Sequence, residues 1–327
     1  MVYIRYNTKE INTGFYFWKS EFELSSQQKE LLRETGSNRL YIHFFDVDLE
    51  AGKPEATPKA VIHFNDSLPS YTEIIPVIYV AQKVFNKIDE NGSRQLAHRI
   101  VNMSKQISGA NKLKWKEFQI DCDWTAGNKN SYFEFLNYIK DELPEGTLLS
   151  CTIRLHQVKY PEKTGVPPVE RGVLMFYNMG EIKTFDTKNS IYNYEVSEKY
   201  LECLSDYPLK LDFALATYGW LLHYRLNKLQ EILPESELRQ IEYCKLFTHV
   251  GNTHVCNNSG FCDERYFMKG DVVEFEHSDF ELCGQAALQL KKHINSEDFN
   301  IIFYHLSSDE LSLYDADKIK SIRNIFN

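Results

Sequence analysis

The sequence predicts an α/β protein, a (β/α)8 TIM barrel with a long insertion between strands 7 and 8. Eight short apolar runs, rich in β-branched and aromatic residues, recur along the chain, and most are separated by amphipathic stretches. The runs are continuously apolar, which is typical of parallel strands buried on both faces. A length of 327 residues suits a single barrel domain over 1–327, since the fold needs about 250 residues before insertions. A doubly wound sheet with fewer strands is the alternative.

The elements follow one another in a regular order. Predicted strands cover residues 14–18, 39–48, 73–80, 117–124, 148–156, 171–178, 210–220 and 299–306. Predicted helices begin at the Ser25-Ser26 cap and close near Gly36, run over 93–107, 132–143 and 195–204, and extend from Asp315 to the end. Residues from about 226 to 298 are too many for a plain loop. We predict that they form an insertion over the C-terminal face of the barrel.

The amino-acid composition limits the classes of function that this chain can have. The chain has 37 Lys and Arg against 46 Asp and Glu, so its net charge of −9 argues against nucleic acid as a partner. No apolar run is long enough for a transmembrane segment, and the first residues lack the apolar region of a secretory signal. The sequence as given therefore predicts a cytoplasmic protein, whereas a periplasmic or surface-lipoprotein location is expected if a leader was removed.

The seven cysteines predict packed, reduced thiols and no disulfide framework, because they are odd in number and mostly scattered in apolar stretches. Cys256 and Cys262 are the pair expected to form a local bridge if the protein is exported. The insertion also contains His249, His254 and His277. Their spacing with the cysteines matches no closed zinc ligand set, so the sequence predicts neither a metal nor a cofactor.

Polar and aromatic residues gather where the predicted strands end, which is where barrels of this class carry their active sites. The acids are Asp46 and Asp48 on strand 2 and Asp121 and Asp123 on strand 4. The other strand ends carry Trp18, Tyr79, Gln82, Trp124, Arg154, His156, Gln157, Tyr177, Asn178, Tyr218, Trp220, Tyr304 and His305, with Asp309 just beyond. Flat rings stack on sugars, and carboxylates and amides bind hydroxyls. This pattern predicts an oligo- or polysaccharide ligand.

Two pairs of carboxyl groups suggest acid/base chemistry. Residues two apart on a strand share a face, so Asp121 and Asp123 are expected to point the same way. Glycoside cleavage needs one protonated acid and one base or nucleophile. We predict Asp123 as the general acid, Asp121 as a deeper group that tunes it, and Asp46 or Asp48 as the partner across the mouth. A purely structural Asp121, bonded to backbone donors or to Arg154, is the alternative.

Several other side chains have two interpretations. His156 and His305 are expected either to bind the sugar or assist as a base, or to be satisfied barrel residues. Trp18, Trp124 and Trp220 are candidates for a stacking platform, with core packing as the alternative.

The segment IDCDWT, residues 120–125, resembles the fourth-strand signature of chitinase-like family 18 glycoside hydrolases. In that signature, spaced aspartates precede a tryptophan and the proton-donating glutamate. Asp121, Asp123 and Trp124 match, whereas Thr125 stands in the position of the glutamate, and Phe118 and Gln119 replace the acid and glycine that begin the pattern.

A broader resemblance covers most of the chain. The order GFYFWKS, RLYIHFFDVD, FQIDCDWT, RGVLMFYNMG, LDFALATYGW and IIFYHL is similar to a family of uncharacterised bacterial proteins with a glycosidase-like barrel. This resemblance implies a fold, and a reaction has to be argued from the site. The leading prediction is a glycoside hydrolase with paired-carboxylate chemistry. The alternatives are a non-catalytic carbohydrate-binding or scaffold protein and, ranked last, a metal-dependent hydrolase with Asp and His ligands.

Overall fold

The computed structural model describes residues 11–49, 56–186, 188–306 and 314–327. Eight parallel strands form a closed ring in which each strand pairs with the next and the eighth pairs with the first. They are β1 (Thr13–Phe17), β2 (Arg39–Leu49), β3 (Glu73–Val80), β4 (Glu117–Asp121), β5 (Leu148–Ile153), β6 (Arg171–Met175), β7 (Leu211–Ala216) and β8 (Ile301–Tyr304). The prediction of a (β/α)8 barrel is confirmed.

Nine α-helices lie in the described part of the chain. They are α1 (Ser26–Thr35), α2 (Glu90–Ala110), α3 (Lys129–Glu142), α4 (Leu155–Lys159), α5 (Pro161–Thr164), α6 (Tyr194–Leu201), α7 (Leu238–Tyr243), α8 (Phe280–Lys291) and α9 (Ala316–Ile325). The first helix shows why its predicted bounds were accurate. Ser25 and Gln28 form a reciprocal capping box at its start, and Gly36 adopts a φ of +66° at its end, where a side chain would be strained.

Two apolar cores lie on the two sides of the barrel wall. The larger one packs the outer face of the strands against the helices and includes Phe118, Ile120 and Phe135. The smaller one fills the barrel interior and includes Tyr16, Tyr41 and many of the rings near the mouth. Because both faces of the strands are buried, their sequences are continuously apolar, as the sequence indicated.

Strand β2 contains a β-bulge between His43 and Phe45, where its register against β3 shifts by one residue. A bulge reverses the alternation of side chains beyond it. His43 and Asp46 therefore point to the same side although they are three residues apart, and the His43 ring contacts the Asp46 carboxylate.

The segment between β7 and β8 carries its own antiparallel sheet. Its strands, in spatial order, are Lys228–Pro234, Gly219–Arg225, Val272–His277, Thr253–Cys256 and Phe247–Val250. The apolar run 210–220 was predicted as a single strand, but it is two: β7 ends at Ala216, and a strand of this second sheet begins at Gly219. Short two-stranded pairings join Gly260–Cys262 to Arg265–Phe267 and Glu21–Phe22 to His63–Phe64, and Ala56–Lys59 pairs with β2.

The predicted Cys256 to Cys262 bridge is wrong. Cys262 is bonded to Cys244, with 5.9 Å between their Cα atoms, whereas Cys256 is a buried free thiol. This pairing results from tertiary packing. The hairpin that contains Cys262 packs at Gly260 against the side chain of Leu246, two residues after Cys244, and a Cβ on Gly260 would lie 3.0 Å from Leu246 Cδ1. Among the described residues, no helix is long and apolar enough to cross a membrane.

Candidate active site at the barrel mouth

Three neighbouring strands bring two acids together at the C-terminal end of the barrel. Asp46 of β2 is in register with Tyr79 of β3, and Tyr79 is in register with Asp121 of β4. With strands about 4.8 Å apart, the backbones of the two aspartates are separated by about 10 Å. All three side chains line one cavity of about 270 Å³, together with Trp18, Arg154, Met175, Tyr177, Asn178 and Tyr304.

Asp121 is the deeper acid, with 6 % of its surface exposed. Its Oδ1 accepts a hydrogen bond from the Thr152 hydroxyl at 2.6 Å, and an Arg154 nitrogen lies 3.6 Å away. Burial raises the pKa of Asp121, and the neighbouring charge of Asp123 raises it further, while Arg154 and Thr152 oppose the shift. The carboxyl group is therefore suited to hold a proton at a higher pH than an ordinary aspartic acid.

Asp123 lies beyond the end of β4 and is about half exposed. Arg154 Nε donates a hydrogen bond to its Oδ1. With Arg154, Asp123 lines a second cavity of about 390 Å³, and His156, Met179 and Tyr200 also lie on its wall. The two cavities share Arg154, Met175, Tyr177 and Asn178, so they adjoin each other.

His43 is a site residue that the sequence analysis missed. Its Nε2 is 2.7 Å from Asp46 Oδ1, and its ring lies 4.6 Å from the ring of Trp18. The sequence did contain a signal, since a histidine interrupts the apolar run of strand 2. Without the bulge, however, the alternation of a regular strand puts His43 and Asp46 on opposite faces.

Five predicted site residues line neither cavity: Asp48, Trp124, Tyr218, Trp220 and His305. Trp124 is fully buried, stacks on Tyr132 of α3 at 5.1 Å, and donates its indole N–H to the Thr164 carbonyl oxygen. It is therefore a core residue and not part of a stacking platform. Asp48 contacts Lys83 at 2.8 Å and Lys59 at 3.7 Å, and it does not line the cavity that holds Asp46.

The aromatic side chains predicted at the mouth do converge. The Tyr304 ring lies 5.8 Å from that of Trp18 and 5.2 Å from that of Tyr177. Tyr218 lies behind them and donates to the Asn178 side-chain oxygen. Trp220 is packed on Tyr218 and donates to Glu276, which ties the second sheet to the barrel mouth.

Neither predicted histidine is a strong base in this environment. Burial lowers the pKa of His305 to about 4. It also lowers the pKa of His156, against the opposing charge of Asp123. Both rings are therefore neutral near pH 7. Asp309 lies outside the described residues.

In the part of the chain that the structure describes, no group of three or more His, Cys, Asp or Glu side chains is arranged to hold a metal ion. The insertion does bring His249 and His254 together, with 2.5 Å between their Nδ1 atoms. Burial lowers the pKa of His254, and the neighbouring His249 ring lowers it further.

No model of a protein family matches this chain, and no curated protein sequence matches it. Solved structures of similar fold do exist. The spore cortex-lytic enzyme SleL of Bacillus cereus is 15 % identical with a TM-score of 0.56, and the match covers 97 % of this chain and 74 % of that one. A chitinase from Chromobacterium violaceum is 11 % identical with a TM-score of 0.53, covering 97 % of this chain and 98 % of that one.

A family 18 chitinase from Cycas revoluta, solved in complex with (GlcNAc)3, is 11 % identical with a TM-score of 0.54, covering 97 % of this chain and all of that one. Identities this low establish similarity of fold. The chain therefore shares the (β/α)8 barrel fold of these three enzymes.

Proposed function

We propose that this protein is a glycoside hydrolase that acts on a carbohydrate at the C-terminal mouth of the barrel. The observation that carries the proposal is the aromatic-walled cavity in which Asp46 and Asp121 lie two strands apart. Two carboxyl groups in different environments are what glycoside cleavage requires. The chitinase-like fold supports the same reaction class.

The roles follow from burial and contacts. Asp121 is the better general acid because burial raises its pKa, so it can donate a proton to the glycosidic oxygen as the bond breaks. Asp46 then faces the positive charge that develops at the anomeric carbon, and acts on that carbon or on a water molecule. We thus assign the acid role to Asp121 instead of Asp123, whose more exposed carboxylate is bonded to Arg154.

The absence of a glutamate at position 125 is a second reason to assign the acid role to an aspartate at the mouth. Thr125 is exposed, and its backbone N–H donates to the Asn128 side-chain oxygen at 2.8 Å. It carries no titratable group and lines neither cavity. Among the described residues, the carboxyl groups that line the two cavities are those of Asp46, Asp121 and Asp123, and these are the candidates for the proton donor.

The test is a screen of aryl glycosides and polysaccharides with the wild-type protein and its Asp121→Asn, Asp46→Asn and Asp123→Asn variants. We expect Asp121→Asn to lower kcat by about 10²- to 10⁴-fold on any substrate that is cleaved. Asp298→Asn is the matched control, since Asp298 bonds to Arg171, which begins β6 at the opposite end of the barrel. Full turnover by Asp121→Asn would reject its role as the acid, and turnover abolished in Asp123→Asn alone would restore Asp123.

A second candidate is a carbohydrate-binding or scaffold protein without catalysis. It is favoured by Thr125 in the glutamate position and by the ion pairing of both Asp121 and Asp123 with the same guanidinium. Binding of glycans with no cleavage anywhere in the screen would select this candidate. Cleavage lost on Asp121→Asn would select the hydrolase.

A further inference from the structure

Acidic side chains outnumber basic ones in the two cavities at the mouth. Asp46, Asp121 and Asp123 supply three carboxyl groups, whereas Arg154 is the one lysine or arginine on either wall among the described residues. If Asp121 holds a proton as the acid, Asp46 and Asp123 still face one guanidinium, and Asp46 also contacts the His43 ring at 2.7 Å. Excess negative charge in a partly enclosed cavity attracts a cation more strongly than the same charge does in water.

Four lysines near the mouth line neither cavity. Lys19, which follows Trp18, is close enough to His305 for its charge to add to the effect of burial in lowering the pKa of that ring. Lys83 and Lys59 contact Asp48 at the rim. The Lys159 ammonium lies over the Tyr160 and Tyr200 rings, 5.5 Å and 5.2 Å from their centroids. Among the described residues, the wall of the cavity of Asp46 and Asp121 thus carries two carboxyl groups and one guanidinium.

The wall of this first cavity also has an underused hydroxyl group. Tyr177 is 6 % exposed, and the hydrogen-bond partner of its hydroxyl in the described structure is the Met175 sulfur, at 3.0 Å. A thioether is a weak acceptor, so this buried hydroxyl has capacity left for a ligand N–H or O–H group. The rings of Trp18 and Tyr304 lie on the same wall, and aromatic faces attract cations.

From these observations, and resting on the proposed function, we infer that the mouth prefers a sugar carrying a free, protonated amino group, such as a glucosamine unit, over its N-acetylated or neutral counterpart. The ammonium group would lie near Asp46 and donate to carboxylate and hydroxyl oxygens. An acetamido group removes that positive charge and adds a methyl group to a cavity whose distinguishing feature is its negative charge. A neutral hydroxyl in the same place forms hydrogen bonds but gains no ion pair.

The experiment is calorimetric titration of the wild-type protein with β-1,4-linked tetrasaccharides of glucosamine, N-acetylglucosamine and glucose at about pH 6, where the amine is protonated and ordinary aspartates are ionised. We expect the glucosamine tetramer to bind at least about tenfold more tightly than either of the others. Raising the salt concentration to about 0.5 M should remove most of this preference, because ions screen it.

Variants connect the preference to the cavity. Asp46→Asn should weaken binding of the glucosamine tetramer much more than binding of the glucose tetramer, so that most of the preference is lost, whereas Asp298→Asn should leave both affinities unchanged. A melting curve for each variant checks that it is folded.

Equal or tighter binding of the N-acetylated or glucose tetramer would overturn this inference and leave the hydrolase proposal standing. A preference for glucosamine that survives Asp46→Asn would also overturn it. If none of the tetramers binds, both this inference and the carbohydrate site fail.

Discussion

The two ends of the barrel use the same residue types in opposite ways. At the N-terminal end, each buried acid has its own guanidinium. Arg39 bonds to Glu117, which also accepts from the Ser150 hydroxyl at 2.7 Å. Asp212 accepts from Arg171 at 2.8 Å and from the backbone N–H of residue 300.

At the C-terminal end, by contrast, three carboxyl groups share Arg154 and the imidazole of His43. The acids at the bottom, Glu117 and Asp212, are each buried and ion-paired with an arginine. The acids at the mouth border open cavities and retain excess charge. Buried acids therefore serve stability where each is paired, and are available for chemistry where partners are shared.

Among the changes expected to distinguish the two ends of the barrel, the largest is a loss of activity. In Asp121→Asn we expect kcat to fall at least about a hundredfold, because the proton donor is lost. The free energy of unfolding should change little, since the raised pKa of Asp121 shows that burying its charged form already costs free energy. In wild type, activity should fall as pH rises through the raised pKa of Asp121, since the proton-donating form is lost. A pH-rate profile flat through that range would argue against this acid.

The next effect is on stability, at the bottom of the barrel. Asp212 is fully buried, so Asp212→Ala leaves Arg171 and a backbone N–H without one of their acceptors. We expect a loss of about 3 kcal/mol in urea unfolding, with the m-value unchanged. The kcat of the remaining folded protein should stay near that of wild type. A large loss of kcat without a loss of stability would break the distinction between the two ends.

The smallest effect compares two hydroxyl groups on the same strand. Thr152 and Ser150 of β5 donate to Asp121 at the mouth and Glu117 at the bottom, respectively. The Thr152 hydrogen bond lowers the pKa of Asp121, so Thr152→Val should raise that pKa and move the alkaline limb of the pH-rate profile upward by about one unit. Ser150→Ala, the matched control, should lower stability by about 1 kcal/mol and leave the limb in place. Equal shifts from both variants would contradict a local effect on Asp121.

The strand ends show how much of the site the sequence could predict. Parallel strands in a barrel bring their C-terminal ends to one rim, so residues as far apart as Trp18, Asp121 and Tyr304 could be placed at one mouth before their contacts were known. Their partners could not be predicted in the same way. Asp123 lies past the end of β4, where the alternation of side chains no longer holds, and it turned toward Arg154.

Three further differences between the predictions from sequence and the structure also arise from backbone geometry or tertiary packing. A one-residue bulge moved His43 onto the face of Asp46, and no local pattern distinguishes a bulge from a regular strand. Trp124 follows the aspartates in sequence but turns outward to pack on α3. Cys262 bonds to a cysteine 18 residues away because of how a hairpin packs.

The sequence by itself determined the eight-strand barrel and the rim on which its acids and rings gather, because hydrophobic periodicity and strand order are local properties of the chain. The tertiary structure decided which carboxyl group is buried, which two share Arg154, and which is held by lysines at the rim. Those outcomes depend on desolvation and on neighbours contributed by other strands, and a linear sequence does not specify either.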